Sequence, residues 1–134
     1  MTRWTYASGL LMAVMLLMSG CGSSDGDDRL QIEVGEWFVN PEPGPLNPGR
    51  FTFDVHNSGQ LTHELELYRQ VGDYQEYEIV EIEDIGAGET ASFSAQLNPG
   101  MYELICTIVE RRADGTVMDH YALGMKALIT VEDR

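Results

Sequence analysis

Four side chains stand out for the chemistry their types allow: His63, Cys106, His120 and Met125. Taken singly, each has an ordinary reading. His63 alternates in phase with Leu65 and Leu67, Cys106 with Tyr102, Leu104 and Ile108, and Met125 with Ala127, Ile129 and Val131. Each of the three therefore belongs on the inward face of a strand. His120 lies in a polar stretch ahead of Tyr121-Ala122-Leu123-Gly124, where a surface loop histidine is the plain expectation. Taken together, the four offer two imidazoles, a thiolate and a thioether. Two histidines and a cysteine with a weak axial methionine make the trigonal site that holds copper for electron transfer, the sulfurs favouring Cu(I) and the imidazoles Cu(II). Zinc competes for any Cys/His set, but a thioether is a poor fourth ligand for it.

The rest of the chain bounds what such a site could serve. With 134 residues it is long enough for one small domain. Its 22 Asp+Glu against 8 Lys+Arg give a formal charge of -14, which excludes phosphate-driven binding to nucleic acid. Partners should be cationic, small or metallic. After Arg3, Gly9 to Met18 is an apolar run too short to span a bilayer, so residues 1–20 read as an export signal. Ser19-Gly20-Cys21 and the polar residues after it resemble the lipobox and tether of bacterial lipoproteins. That resemblance implies a diacylglyceryl group on Cys21, a tether over 21–29, and a domain over 30–134. The protein would then be anchored at the outer face of the cell membrane or in the periplasm or cell envelope. Met18 stands where Leu is commoner, which leaves a plain secretory signal open. Once Cys21 carries lipid, Cys106 is the only thiol of the domain and has no disulfide partner within it. A free thiol outside the cytoplasm is open to oxidation, so Cys106 should be either deeply buried or occupied by a ligand.

The elements that must position these donors are strands. Period-two alternation and turn residues run throughout, with no apolar stripe of helical length. The pattern predicts strands over Leu30 to Val39, Arg50 to Asn57, Thr62 to Tyr68, Glu78 to Ile85, Thr90 to Leu97, Met101 to Val109 and Met125 to Val131. A stiff Pro41-Glu42-Pro43-Gly44-Pro45 loop and the Asn57-Ser58-Gly59, Gly86-Ala87-Gly88 and Asn98-Pro99-Gly100 turns punctuate them. Such a count of short strands suggests an all-β Greek-key sandwich.

At this point the chain resembles the cupredoxins, the blue copper proteins of plastocyanin and azurin type. The likeness rests on Asn57-Ser58-Gly59-Gln60-Leu61-Thr62-His63-Glu64-Leu65, Pro99-Gly100-Met101-Tyr102-Glu103-Leu104-Ile105-Cys106 and His120-Tyr121-Ala122-Leu123-Gly124-Met125, with Ile129-Thr130-Val131 following. It implies a cupredoxin-like Greek-key β-sandwich or barrel of about seven to eight strands, holding one copper ion of type 1 character. His63, Cys106 and His120 would be its equatorial ligands and Met125 its axial one. Family members place the cysteine and the second histidine a few residues apart, whereas here thirteen residues intervene. The insert 107–119 reads as a hairpin with Asp114-Gly115 at its tip. A two-residue turn would set His120 opposite Val109, about 10 Å along the strand from Cys106. Shared ligation then requires the arms to part near their base, or a different register. Arg111 and Arg112 make this insert the densest positive charge on the chain and a candidate recognition flap.

His56 falls on the polar face of its strand and is left out of the site. Glu76, Glu78, Glu81, Glu83 and Asp84 form either a solvated face or a docking surface for a basic redox partner such as a cytochrome or an oxidase. Three functional readings follow. The leading one is a membrane-tethered electron carrier cycling between Cu(I) and Cu(II), which is not an enzyme. The others are copper storage or delivery, and a metal-free interaction module with a buried Cys106.

Overall fold

Alternating apolar residues draw the chain into two packed four-stranded sheets, seen in a computed structural model that describes residues 27–133, apart from the side chains of 74–77. The expected export signal and Cys21 lie outside the described residues, as does the side chain of Glu76. One sheet holds β1 (Asp28–Gly35), β2 (Phe38–Pro41), β3 (Gly49–Asn57) and β6 (Thr90–Leu97), in the order β2-β1-β3-β6. Within it β1 runs parallel to β3 and the other neighbours are antiparallel. The second sheet holds β4 (His63–Val71), β5 (Tyr74–Ile85), β7 (Gly100–Ile105) and β10 (Lys126–Val131), in the antiparallel order β10-β7-β4-β5. A separate hairpin pairs β8 (Val109–Arg111) with β9 (Val117–Asp119), and one helical turn, α1 (His120–Leu123), follows it.

The core forms where the inward residues of the two sheets meet. Phe51, Phe53 and Val55 of β3 are buried, as are Leu65 and Leu67 of β4 and Tyr102 and Leu104 of β7. Phe53 stacks on Phe93 with ring centroids 4.7 Å apart. Each such side chain contributes about 1.5–3 kcal/mol by leaving water, so this layer is what holds the sheets face to face. Tyr102 reaches the Asn98-Pro99 turn. Its hydroxyl donates to Asn98 O at 2.9 Å and accepts from Asn98 N at 3.0 Å, pinning the entry to β7.

The eight sandwich strands agree with the expected seven to eight. Three local expectations are corrected. The first strand is not continuous to Val39: it turns back at Glu36-Trp37 and pairs with itself as β1 and β2, Gly35 lying opposite Phe38, whose ring comes 2.8 Å from where a β-carbon on Gly35 would stand. The sixth strand ends at Ile105 and not at Val109. Beyond it the Thr107 N–H donates to the Glu64 carboxylate and the Thr107 hydroxyl to Glu64 and Glu66, so side chains take the groups a strand would have paired. The insert is a hairpin, but Asp119 and not His120 lies opposite Val109, because a five-residue loop closed by the Arg112 N–H on Thr116 O replaces the two-residue turn.

Candidate metal centre

Three separate segments deliver the donors to one end of the sandwich. His63 opens β4, on the same buried face as Leu65 and Leu67. Ahead of it, the fully buried Asn57 fixes the turn: its amide donates to Leu61 O and Ile85 O, both at 2.8 Å, and its carbonyl accepts from Gly59 N at 2.9 Å. Cys106 follows β7 directly and is held to the residue before β10 by its N–H on Met125 O, at 3.1 Å. His120 begins α1. Asp119 caps that turn by accepting from Ala122 N at 2.9 Å, and Gly124, at φ 127°, ends it. The Asp…Gly bracket is a helix signal that a strand-only reading passes over. It explains why His120 is fully buried where a surface loop histidine was expected.

The donor atoms converge. His120 Nδ1 lies 3.3 Å from His63 Nδ1 and 3.4 Å from Cys106 Sγ, and one ligand atom from each of the three residues lies within 4.8 Å of the others. Nitrogen and sulfur donors bound at about 2.0–2.3 Å to one ion stand about 3.5 Å apart around it, which is close to the spacing of His120 Nδ1 from the other two donors. All three residues are 0% exposed. The arms of the insert therefore do part at their base: the His120 N–H bonds Ile108 O at 3.0 Å, and its ring turns back beneath the hairpin to Cys106. Met125 is also fully buried. Its N–H donates to His120 O at 3.0 Å, so its backbone is bonded to both Cys106 and His120. His56 is exposed and pairs with Thr90 Oγ1 at 3.1 Å, away from the cluster.

Electrostatics suit a cation at the meeting point. Burial pushes the Cys106 thiol up, and burial followed by the neighbouring His63 pushes His120 down, so the buried setting disfavours charge on either of these two groups. Behind His63 sits Glu36, which sequence reasoning missed because nothing in its strand pattern marks it. Its Oε1 lies 3.1 Å from His63 Nε2 and accepts from Leu61 N at 2.8 Å and Gln60 N at 3.0 Å. Burial works to raise this carboxyl, but the Leu61 and Gln60 N–H groups and then His63 outweigh it and hold it below the usual range. A carboxylate only accepts, so Nε2 is the His63 nitrogen that donates to it, and Nδ1 is the one that faces the cluster. Two ring nitrogens and a sulfur this close to one another need a proton or a cation among them. The ring of His120 meets Trp37 edge-on at 4.9 Å, and its Nε2 is buried with no hydrogen-bond partner among the described residues. Among the described residues the cluster contains no carboxylate donor, which separates it from hard-metal sites.

Comparison with known proteins agrees with this architecture. Residues 9–118 match the family described as the cupredoxin-like domain, and the chain belongs to that family. The match includes His63 and Cys106 and stops short of His120 and Met125. Comparison with curated proteins gives no significant match. Among solved structures, the dithionite-reduced auracyanin of the photosynthetic bacterium Roseiflexus castenholzii superposes with a TM-score of 0.60 at 19% identity, over 81% of this chain and 100% of that one. Auracyanin A, a blue copper protein of Chloroflexus aurantiacus, gives 0.61 at 17% identity, over 80% and 100%. Auracyanin B gives 0.59 at 18%, over 79% and 89%. At these identities the likeness is one of fold.

Proposed function

We propose that the protein is a mononuclear copper electron carrier, with His63, Cys106 and His120 as equatorial ligands and Met125 as the axial one. The observation that carries this reading is the convergence of two imidazole nitrogens and a thiol sulfur, all fully buried, on one point. Copper bound there would supply a one-electron Cu(I)/Cu(II) couple. The residues of the chain do the rest. His63 and Cys106 stand at the ends of paired strands and His120 on a capped turn, so the donors are held with little freedom to rearrange. The surrounding side chains exclude water. Both buried histidines are committed to the cluster, which favours a carrier over a catalyst.

Export and a lipid on Cys21 belong to the same proposal and rest on the Gly9 to Met18 run and Ser19-Gly20-Cys21. So does a redox partner of opposite charge, a cytochrome or an oxidase. Glu78, Glu81 and Glu83 are exposed, and Glu78 first, then burial and Glu83, push the Glu81 carboxyl up, the mark of a crowded negative face. Copper delivery is the weaker reading, because a fully buried donor set is a poor place from which to release an ion.

The test is direct. Cu(II) added to the purified protein should bind one ion per chain and give an intense visible thiolate-to-copper band that Cys106→Ser abolishes. Colour surviving in the serine variant, or zinc retained in preference to copper, would overturn the assignment.

A further inference from the structure

The Glu36-Trp37 turn between β1 and β2 packs against both histidine-bearing segments at once. A β-carbon on Gly59, in the turn before His63, would stand 2.6 Å from Glu36 Oε1, and one on Gly124, after α1, would stand 2.9 Å from Trp37 O. The Trp37 contact therefore depends on glycine, whereas at Gly59 the Glu36 carboxylate would have to shift, and the turn seats Glu36 against one imidazole and Trp37 against the other. Of the two residues, Glu36 carries a formal charge. Its Oε1 gathers three donors, from Gln60, Leu61 and His63, and its side chain keeps 26% exposure while the histidine it faces has none.

We infer that Glu36 is a positioning residue of the metal centre, fixing the tautomer of His63 and setting a negative charge behind its ring that favours the higher oxidation state of a bound ion. This rests on the copper reading for its second half only. An acceptor on Nε2 leaves Nδ1 bare for ligation, and a carboxylate partner raises the basicity of the imidazole. A fixed negative charge on the line of the ligand lowers the energy of the more positive ion more than that of the less positive one. Holding the turn at Gln60 and Leu61 is a structural duty, but it does not require a charge at the far end of the imidazole.

Three variants separate these roles. Glu36→Gln keeps an oxygen acceptor and removes the charge, Glu36→Ala removes both, and Glu33→Gln removes a charge from β1, just before the turn, without a bond to either histidine. In the metal-free protein, nitrogen-edited NMR should show His63 as the Nε2–H tautomer in the wild type and a tautomer mixture in Glu36→Ala. That result does not depend on copper. Loaded with copper, Glu36→Gln should lower the ratio of Cu(II) to Cu(I) binding constants at least tenfold, an upward shift of about 59 mV for one electron, and Glu33→Gln should leave it within about twofold. Thermal unfolding of each metal-free variant identifies any that fails to fold, and Glu36→Gln then carries the comparison. An unchanged tautomer in folded Glu36→Ala, or a Glu36→Gln ratio equal to that of Glu33→Gln, overturns the inference. A wild type that binds no copper overturns the proposed function and leaves the tautomer result standing.

Discussion

Asn57 is the residue whose removal gives the most measurable return, because it has no exposure and satisfies three backbone groups that have no other side-chain partner among the described residues. In Asn57→Ala the Ile85 carbonyl is left buried without its donor, while the Leu61 carbonyl and the Gly59 N–H lose theirs at partly buried positions. An orphaned buried group costs about 1–3 kcal/mol, so about 2 kcal/mol for Ile85 O and about 1 for each of the others gives about 4 kcal/mol in all. For a domain of this size that is a fall of about 15 °C in Tm. Urea unfolding of the metal-free protein, followed by tryptophan fluorescence, should show a lower midpoint at unchanged slope. Asn57→Asp should be as damaging or worse, since it sets a carboxylate oxygen against the Leu61 and Ile85 carbonyls. The consequence reaches the site, because the same turn carries the Gln60 and Leu61 N–H groups to Glu36 and leads into His63. A loss below about 1 kcal/mol would refute the claim that this side chain organises the turn.

Gly124→Ala should destabilise by about 1–3 kcal/mol more than Gly115→Ala: both glycines have positive φ, but only at Gly124 would the new methyl meet a backbone oxygen. Equal Tm shifts for the two would show that Trp37 O yields freely. Met125→Leu should retain copper and raise the reduction potential, as measured by cyclic voltammetry; loss of the ion instead would make the thioether essential to binding. The Asp54 carboxyl is held below its usual range by the Ser92 hydroxyl first, then by Arg29, with Gln31 also bonded. A depressed carboxyl contributes stability that is complete above its unfolded value, near about pH 4, and is lost as pH falls through its folded value. Asp54→Asn should therefore be less stable than the wild type at about pH 6, with the gap closing toward about pH 2. A gap that widens on acidification would show the carboxyl is not ionised in the fold.

Strand phase and residue chemistry were legible without the tertiary structure because both are written in local alternation. Phe51, Phe53 and Val55, then His63, Leu65 and Leu67, repeat every second residue, so their burial followed from the pleat. The donor set was legible because few residue types offer soft sulfur and imidazole nitrogen. What the sequence left open was the meeting of Cys106 with His120 across the insert. That depended on a loop of five residues instead of two, on Thr107 leaving the ladder for two glutamates, and on an α1 turn capped by Asp119. The contacts of Glu36 and Trp37 with the two imidazoles were invisible for the same reason. They join residues 27 to 83 positions apart, and only the packing of one sheet on the other decides which side chains meet at such separations.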